Sequence, residues 1–272
     1  MKLFFREVGD PTNPPIIILH GLFGSSDNWL TISKMIAEKG FYVLSVDQRN
    51  HGQSPRNEEF DYDSMAADLH EFIANHQLEA PVLMGHSMGG KTVMQYAMNY
   101  PDRPNEQSFG KLVVVDIAPK FYPIHHGDIL RGLAAIDLAT LTNRNVADAT
   151  LSQFEPSAPV RQFLLKNLYR TGTPDRPEGR FDWRINLPVI TSEIHGVGEE
   201  LNHPRTVTEP TLFIRAANRT TLLMAICPAS KNSSPTARSK PLREPGIGCR
   251  PKNPPNLCNH CLLLLLRCQL YT

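Results

Sequence analysis

The first 226 residues of this chain of 272 residues contain no cysteine. Without cysteine there is no disulfide framework in that part, which is typical of proteins from reducing compartments. Long apolar runs are also missing. The longest aliphatic stretch, Leu262–Leu266, is far below the roughly 20 residues that a membrane-spanning helix needs. We therefore expect no stable membrane span.

An excess of charge of one sign is absent as well. The chain has 28 Lys and Arg against 27 Asp and Glu, a formal net charge of +1. Such a balance provides no strong field, so we expect no nucleic-acid partner. The first residues, "MKLFFREVGDPTNPP", have neither the apolar centre of a secretory signal nor the Arg and Ser bias of a transit peptide. The sequence therefore shows no presequence, which fits a cytoplasmic location.

Five apolar segments predict parallel strands that helices cover on both faces, because they are β-branched and do not alternate with polar residues. They are "PIIILH" (15–20), "YVLSVD" (42–47), "PVLMGH" (81–86), "KLVVVDI" (111–117) and "PTLFIR" (210–215). Helical patterns separate the first four. This alternation predicts an α/β fold with a doubly wound, mostly parallel sheet. Ligands bind such sheets beyond the carboxyl ends of the strands.

The chain divides into four predicted regions. Residues 1–119 form the core with the candidate nucleophile, and residues 120–205 form a helical insertion, either a lid over a pocket or a packed connector. Residues 206–218 return to the core with one strand. Residues 219–272 are rich in Cys, Pro and Arg and show no useful strand or helix pattern, so we expect a disordered tail.

The stretch Gly85-His86-Ser87-Met88-Gly89 follows an apolar strand and precedes a helix. It fits the Gly-x-Ser-x-Gly nucleophile elbow, in which a tight turn lifts the serine oxygen clear of the sheet. Gly85 and Gly89 allow the close approach that side chains would block. Ser87 is therefore the candidate nucleophile, with a structural turn as the alternative interpretation.

An oxyanion hole needs two hydrogen-bond donors. The N–H of Met88 follows the nucleophile, and the second donor comes from the loop after an earlier strand. In "LHGLFGSSDNW" the pair His20-Gly21 follows such a strand, so Leu22 N–H is the first candidate and Phe23 N–H the second. We expect His20 to brace this loop rather than to act as a base. The polar loop "VDQRNHGQSP" after the next strand is expected to be fixed by hydrogen bonds.

These motifs, in this order, resemble the α/β-hydrolase superfamily. The combination with "YDSMAADL", "VVVDIAP" and "RFDWRINL" is similar to the YbfF-like esterases and their eukaryotic, often mitochondrial, relatives, which include ethanol acetyltransferases. The resemblance covers about residues 1–218. It implies a serine esterase, thioesterase or acyltransferase that works through an acyl-enzyme on a small acyl ester or thioester. It also implies no cofactor, a mitochondrial location as the alternative to a cytoplasmic one, and a closing strand and helix that this chain lacks. The tail has one pair with zinc-ligand spacing, Cys258 and Cys261, but no second such pair, so we expect no metal.

The catalytic acid is expected at Asp116. Many hydrolases of this fold carry the acid after the strand that follows the lid, but no Asp or Glu occurs between Glu209 and Glu244. Asp116 ends the strand after the one that precedes Ser87, so its carboxylate can reach the same histidine. The resemblance also places the acid in this Asp-Ile-Ala-Pro motif. The alternative is an aspartate that only caps the following turn.

The catalytic histidine is harder to assign. The order in the superfamily is Ser, acid, His, and His260 alone lies late enough. Its surroundings, "PKNPPNLCNHCLLLLL", contain no Gly-His turn after an apolar strand.

A reading-frame change, retained intron or alternative exon near Arg219 would explain the tail, and a divergent natural tail is the alternative. We expect a serine hydrolase that is impaired if the histidine is missing. The alternatives are an inactive or truncated hydrolase-fold protein and an acyltransferase.

Overall fold

The computed structural model describes residues 1–100, 109–173, 176–202, 205–217 and 221–227. Its strands, in chain order, are β1 (Phe5–Val8), β2 (Pro15–Leu19), β3 (Tyr42–Val46), β4 (Val82–His86), β5 (Lys111–Val115), β6 (Leu168–Thr173), β7 (Arg176–Trp183), β8 (Thr211–Ala217) and β9 (Thr221–Cys227). Seven of them form one sheet in the order β1-β3-β2-β4-β5-β8-β9, and β6 pairs with β7 in a separate hairpin.

The five predicted strands are confirmed as β2, β3, β4, β5 and β8. Each is parallel to its neighbours in this group, so their carboxyl ends meet at one edge of the sheet. The outer strands β1 and β9 are antiparallel to β3 and β8. The predicted fold class, an α/β fold with a mostly parallel sheet, is therefore confirmed for the described residues.

Helices connect these strands. A 3-10 helix (Ser26–Trp29) is followed by α1 (Leu30–Ala37), α2 (Tyr62–Asn75), α3 (Met88–Asn99), α4 (Gly127–Ala134), α5 (Arg144–Leu151), α6 (Ala158–Leu165), α7 (Leu187–Ser192) and α8 (Ile194–Gly198). The start of α2 illustrates the local cause: the Asp61 carboxylate accepts a hydrogen bond from Ser64 N–H at 2.7 Å and so caps the helix. Among the described residues, no helix is both long and apolar enough to cross a membrane.

Both faces of the sheet are buried. In β2, Ile16 and Ile18 pack into one core cluster with α1, and Ile17 and Leu19 pack into another with α2 and α3. Successive side chains of a strand point to opposite faces. A strand between two layers of helices therefore needs apolar residues at every position, which explains why the predicted strands show no alternation.

The insertion between β5 and β8 contains α4 to α8 and the β6–β7 hairpin. A third apolar cluster joins its residues, including Leu133 and Leu164, to Leu22, Phe23 and Met88 at the carboxyl edge of the sheet. The insertion therefore packs over the edge where the candidate site residues lie. The predicted domain boundaries, and the role of residues 120–205 as a lid, stay predictions.

Two sequence-based assignments differ from the structure. The insertion at residues 120–205 is predicted to be helical, but α6 ends at Leu165 and Leu168 pairs with Trp183 in a β-hairpin. No strand was expected after Arg219, yet Thr221–Cys227 pairs with Thr211–Ala217 along its whole length. The seven residues "TLLMAIC" are an apolar run of strand length, hidden by the polar composition of the tail around them. Residues 228–272 lie outside the described residues.

Candidate active site

Ser87 lies in the turn between β4 and α3. Its backbone has φ 50° and ψ −116°, in the half of the map that residues with a side chain rarely occupy. Two hydrogen bonds hold it there: Ser87 N–H donates to Val115 O at 2.9 Å, and Ser87 O accepts from Lys91 N–H at 3.1 Å. Strained backbone of this kind persists where the surrounding structure enforces it. The strand-turn-helix geometry of a nucleophile elbow is therefore present.

Two glycines make the turn possible because their surroundings leave no space for a Cβ atom. A Cβ on Gly85 would lie 2.1 Å from Gly89 O, and a Cβ on Gly89 would lie 2.5 Å from Leu19 O. The start of α3 thus packs directly against β4 and the end of β2. This close packing brings the first turn of the helix, with its unpaired N–H groups, next to Ser87.

The loop after β2 lies beside the serine. A Cβ on Gly21 would be 3.2 Å from Ser87 Cβ, so only glycine fits without displacement. Phe23 N–H already donates to His51 Nε2 at 3.3 Å. No hydrogen bond among the described residues uses Leu22 N–H. These contacts favour Leu22 over Phe23 as the second oxyanion donor. Met88, the first residue of α3, supplies an N–H group with no partner inside the helix.

His20 holds this loop. Its Nδ1 lies 2.9 Å from Gly21 O, and its Nε2 accepts from Gln48 N–H at 3.0 Å. Because Nε2 accepts, the proton is on Nδ1, which donates to Gly21. Burial lowers the pKa of His20 to about 4, so the ring is neutral near pH 7. With both nitrogens engaged, His20 has no free position for taking a proton from Ser87.

The loop after β3 is fixed by its own polar groups. Asp47 accepts from Ser26 N–H at 2.6 Å and from Gln53 N–H at 2.8 Å, one bond for each carboxylate oxygen. His51 Nδ1 lies 3.0 Å from Arg49 O, and burial lowers the pKa of His51 to about 3. These contacts agree with the prediction that the loop residues act through hydrogen bonds in the structure.

Asp116 follows β5 at the same edge. Like Ser87 it has a positive φ, 55°, and its N–H donates to Ile214 O at 2.7 Å. Its side chain is exposed. Its charge acts on His86: burial lowers the pKa of His86, and the Asp116 carboxylate opposes that shift. A carboxylate therefore stands at the position expected for the acid, without a histidine hydrogen-bonded to it in the described part of the chain.

No hydrogen bond joins Ser87 Oγ to a histidine within the described residues. His70 lies on α2 and His76 directly follows its last residue, away from the carboxyl edge. His203 and His260 lie outside the described residues, so the position of the candidate base is not part of this site. The part of the chain that the structure describes contains no group of His, Cys, Asp and Glu side chains suited to hold a metal ion.

A cavity of about 220 Å³ opens in front of the serine. Apart from Ser87 and the loop after β2, its walls come from the 3-10 helix, β4 and the insertion. They are Asn28, Trp29, His86, His126, Phe163 and Lys166. The sequence motifs indicated the catalytic turn but not His126, Phe163 or Lys166. Those residues belong to the insertion, where no motif or periodicity marks which side chains face the cavity.

Comparison with known proteins agrees with this geometry. Residues 14–205 match the family described as the alpha/beta hydrolase fold. The chain is 37% identical over 219 residues to the sn-1-specific diacylglycerol lipase ABHD11 of Mus musculus, with 78% of this chain and 68% of the relative covered. It is 35% identical over 208 residues to the esterase YbfF of Escherichia coli strain K12, covering 76% of this chain and 75% of the relative.

A solved structure leads to the same assignment. The structure titled "Marine microorganism esterase" superposes with a TM-score of 0.72 at 38% identity, covering 79% of this chain and 80% of that chain. Relatives of this chain are thus named as esterases and lipases, in agreement with the resemblance inferred from the motifs. The chain belongs to the α/β-hydrolase fold family, in a branch of carboxylic ester hydrolases.

Proposed function

We propose that this chain is a serine hydrolase that acts on acyl esters or thioesters through an acyl-enzyme. The observation that carries the proposal is the strained turn at Ser87, close to Leu22 and Met88, whose backbone N–H groups have no hydrogen-bond partner among the described residues. A nucleophile and an oxyanion hole are the two parts that acyl transfer requires first.

In the first half of the reaction, Ser87 Oγ attacks the acyl carbon and the carbonyl electrons move to its oxygen. The N–H groups of Leu22 and Met88 stabilise that oxyanion, each donor contributing about 10²- to 10³-fold in rate. The intermediate collapses and the bond to the alcohol or thiol breaks. The leaving group takes the proton that Ser87 gave up to the base, and the acyl group stays on Ser87. Water then attacks the acyl carbon and releases the acid.

The proton of Ser87 requires a base, and Asp116 is proposed to orient the histidine that provides it. None of the described histidines is hydrogen-bonded to Ser87 Oγ, and we propose that the base comes from the remainder of the chain or is missing. In the second case the protein retains the hydrolase fold and an acyl-binding cavity but has little turnover. If an alcohol replaces water in the second half, the same site is an acyltransferase.

The substrate is proposed to be a small ester or thioester. A cavity of about 220 Å³ accommodates a short acyl group beside Ser87. The relatives named above are an esterase and a diacylglycerol lipase, which supports an oxygen ester as the first substrate to try. A cytoplasmic or mitochondrial location stays a prediction.

The test is labelling of the full chain with an alkyl 4-nitrophenyl phosphonate, followed by mass spectrometry of the intact protein and its peptides. Phosphonylation at Ser87 that disappears in Ser87→Ala supports the proposal. Ser192→Ala, an exposed serine in α7, is the matched control and should label as the natural chain does. Ester turnover measured with and without added ethanol, with the products identified, separates hydrolysis from acyl transfer. Labelling that persists in Ser87→Ala would contradict the assignment of the nucleophile.

A further inference from the structure

The cavity in front of Ser87 has a positive charge on its walls and no negative one. Lys166, which directly follows α6, is the one charged side chain among its described walls, where no Asp or Glu stands. The histidines of these walls, His20, His86 and His126, are neutral near pH 7, because burial lowers the pKa of each ring. A cavity with this charge attracts anions and repels cations.

The backbone of Lys166 is fixed beside the oxyanion loop by the next residue. Asn167 is buried, and its Nδ2 donates to Phe23 O at 2.8 Å and to Leu164 O at 3.1 Å. The side chain of Lys166 is exposed, and its ammonium has no ion pair or hydrogen bond among the described residues. It is therefore accessible to a ligand in the cavity and loses no protein partner when it binds one.

Asn28, in the 3-10 helix, provides a second donor on the same walls. Its Oδ1 accepts a hydrogen bond from Ser25 N–H at 2.8 Å, which fixes the amide group and leaves Nδ2 to make other contacts. Nδ2 donates to no described residue, and it is not among the enclosed polar atoms that lack a partner, so solvent reaches it. Asn28 is anchored at Ser25 and Lys166 is anchored beside Phe23, so one loop positions both donors.

A carboxylate is the group that matches these two donors. Its oxygens only accept hydrogen bonds, and a bond between charged groups is roughly twice as strong as one between neutral groups. A neutral hydroxyl group would gain no charge pairing, and Lys166 would repel a cation. The cavity of about 220 Å³ leaves room for a short substrate whose carboxylate lies a few bonds from the reacting carbonyl.

We propose that Lys166 and Asn28 determine specificity by binding a carboxylate that the substrate carries near its reacting carbonyl. Lys166 pairs with its charge, and Asn28 Nδ2 donates to one of its oxygens. The carboxylate belongs either to the acyl half or to the alcohol half of the ester or thioester. This role rests on the proposed function, since it requires that Ser87 is acylated in this cavity.

The experiment measures phosphonylation of Ser87 in the full chain, so it needs no turnover. Attack by Ser87 Oγ forms the O–P bond, 4-nitrophenolate leaves, and the serine proton passes to solvent. One probe pair carries 3-carboxypropyl or 3-carbamoylpropyl on phosphorus and mimics the acyl half. The other pair carries these groups through oxygen and mimics the alcohol half. Each rate constant is divided by that of the same probe with hydroxide, and the readout is the carboxylate-to-amide ratio within a pair.

We expect the natural chain to prefer the carboxylate probe of one pair by about tenfold, a typical gain for a hydrogen bond to a charged group. Raising the salt concentration from about 0.02 M to about 0.5 M should lower this ratio, because salt screens an accessible ion pair. Lys166→Met should bring the ratio to about one, and Lys166→Arg should keep the preference. A loss of stability alone would change both probes of a pair by the same factor.

Asn28→Asp tests the second donor. The variant keeps an oxygen for Ser25 N–H but places an anionic oxygen where Nδ2 lies, so it should abolish the preference for the carboxylate. The matched control is Lys39→Met, which removes one positive charge from an exposed residue that does not line the cavity. It should leave the ratio unchanged, since a charge outside the cavity is screened.

Three other outcomes are decisive. Equal ratios for both pairs in the natural chain, or a preference for the amide, would overturn the inference and leave the proposed function intact. A carboxylate preference that survives in both Lys166→Met and Asn28→Asp would assign the contact to other residues and overturn it as well. Absence of phosphonylation at Ser87 with every probe would show that the proposed function fails, and this role of Lys166 and Asn28 with it.

Discussion

Gly89 is one of the two glycines on which the serine turn depends. A Cβ on Gly89 would lie 2.5 Å from Leu19 O and 2.6 Å from His20 O, and backbone atoms of this kind cannot move aside. We expect Gly89→Ala to lower the free energy of unfolding by about 1–3 kcal/mol, the usual cost of overpacking. Urea unfolding followed by circular dichroism measures it. In Gly196→Ala, where a Cβ meets nothing within 4 Å, stability should change little or rise.

The buried neutral His20 predicts a loss of stability in acid. Its pKa lies at about 4 in the folded chain, against 6.5 for an exposed histidine, because burial disfavours the charged ring. Between these two pH values the unfolded chain binds the proton and the folded chain does not. The free energy of unfolding therefore falls as the pH falls through this window, by about 1.4 kcal/mol per pH unit for this residue.

Urea unfolding at about pH 7, 6 and 5 tests this dependence. His20→Gln removes the titrating group and should show a smaller loss between the two ends of the range, whatever its stability at neutral pH. His51, whose pKa is also lowered by burial, retains its own contribution in that variant. The same pH slope in His20→Gln and in the natural chain would show that His20 does not titrate as described.

Site residues were predictable from sequence where the chemistry is local. Gly85, Ser87 and Gly89 lie within five consecutive residues, and their geometry follows from one strand-to-helix turn. His126 was not predictable, because its position in the cavity depends on how the insertion packs over Phe23, far away in sequence. The base was not predictable either, since its usual marker, Gly-His after a closing strand, is not in the sequence.

At the scale of elements, one buried lysine joins α3 to the end of the insertion. Lys91 is fully buried, and its Nζ donates to Glu199 O and, at 3.4 Å, to Val197 O. The ammonium also faces the rings of Tyr62 and Tyr122, at 5.6 and 5.4 Å from their centroids. The helix that begins at the nucleophile is thus linked through its second turn to α8.

We expect Lys91→Met to loosen this link. The variant keeps the apolar stem but leaves the carbonyl groups of Val197 and Glu199 without their charged donor, so the free energy of unfolding should fall by about 1–3 kcal/mol. Amide hydrogen exchange should quicken in residues 187–198. Lys34→Met, on the exposed face of α1, is the control and should change neither quantity. Unchanged exchange in Lys91→Met would mean that α8 is held by its apolar contacts alone.

Elements of the core were predicted better than those at its margins, for a physical reason. Strands buried on both faces need apolar residues at every position, so β2 to β5 are evident in the sequence. The edge strand β1 is short and only half-buried, and its sequence "FREV" carries a weak signal. The β6–β7 hairpin pairs residues through backbone hydrogen bonds across a segment rich in turn-forming residues, which hides its strand pattern.

At the scale of the whole molecule, Asp116 and Ser87 differ in how far the surrounding structure encloses them. Its carboxylate is exposed at the carboxyl edge, while Ser87 and the oxyanion donors are enclosed by the loop after β2 and by the insertion. In a complete triad the histidine lies between the acid and the serine and shields the acid from water. The proposed nucleophile and oxyanion donors therefore lie together in the described residues, where no histidine is hydrogen-bonded to Ser87 or to Asp116.

This separation leads to a prediction about rate. A variant whose residues after Ala217 are replaced by a closing strand, a Gly-His turn and a helix from an active relative should hydrolyse acyl esters at least about 10³-fold faster than the natural chain. A serine without its base keeps only the catalysis of the oxyanion hole and of binding. Steady-state turnover of a 4-nitrophenyl ester measures the ratio, with active sites titrated by phosphonate in both proteins.

In the replaced chain Asp116→Asn should then lower turnover by about 10⁴-fold, because the histidine would no longer be held in the tautomer that accepts the Ser87 proton. If the natural chain instead matches the replaced one, a base is already present, and loss of activity in His260→Ala would identify it.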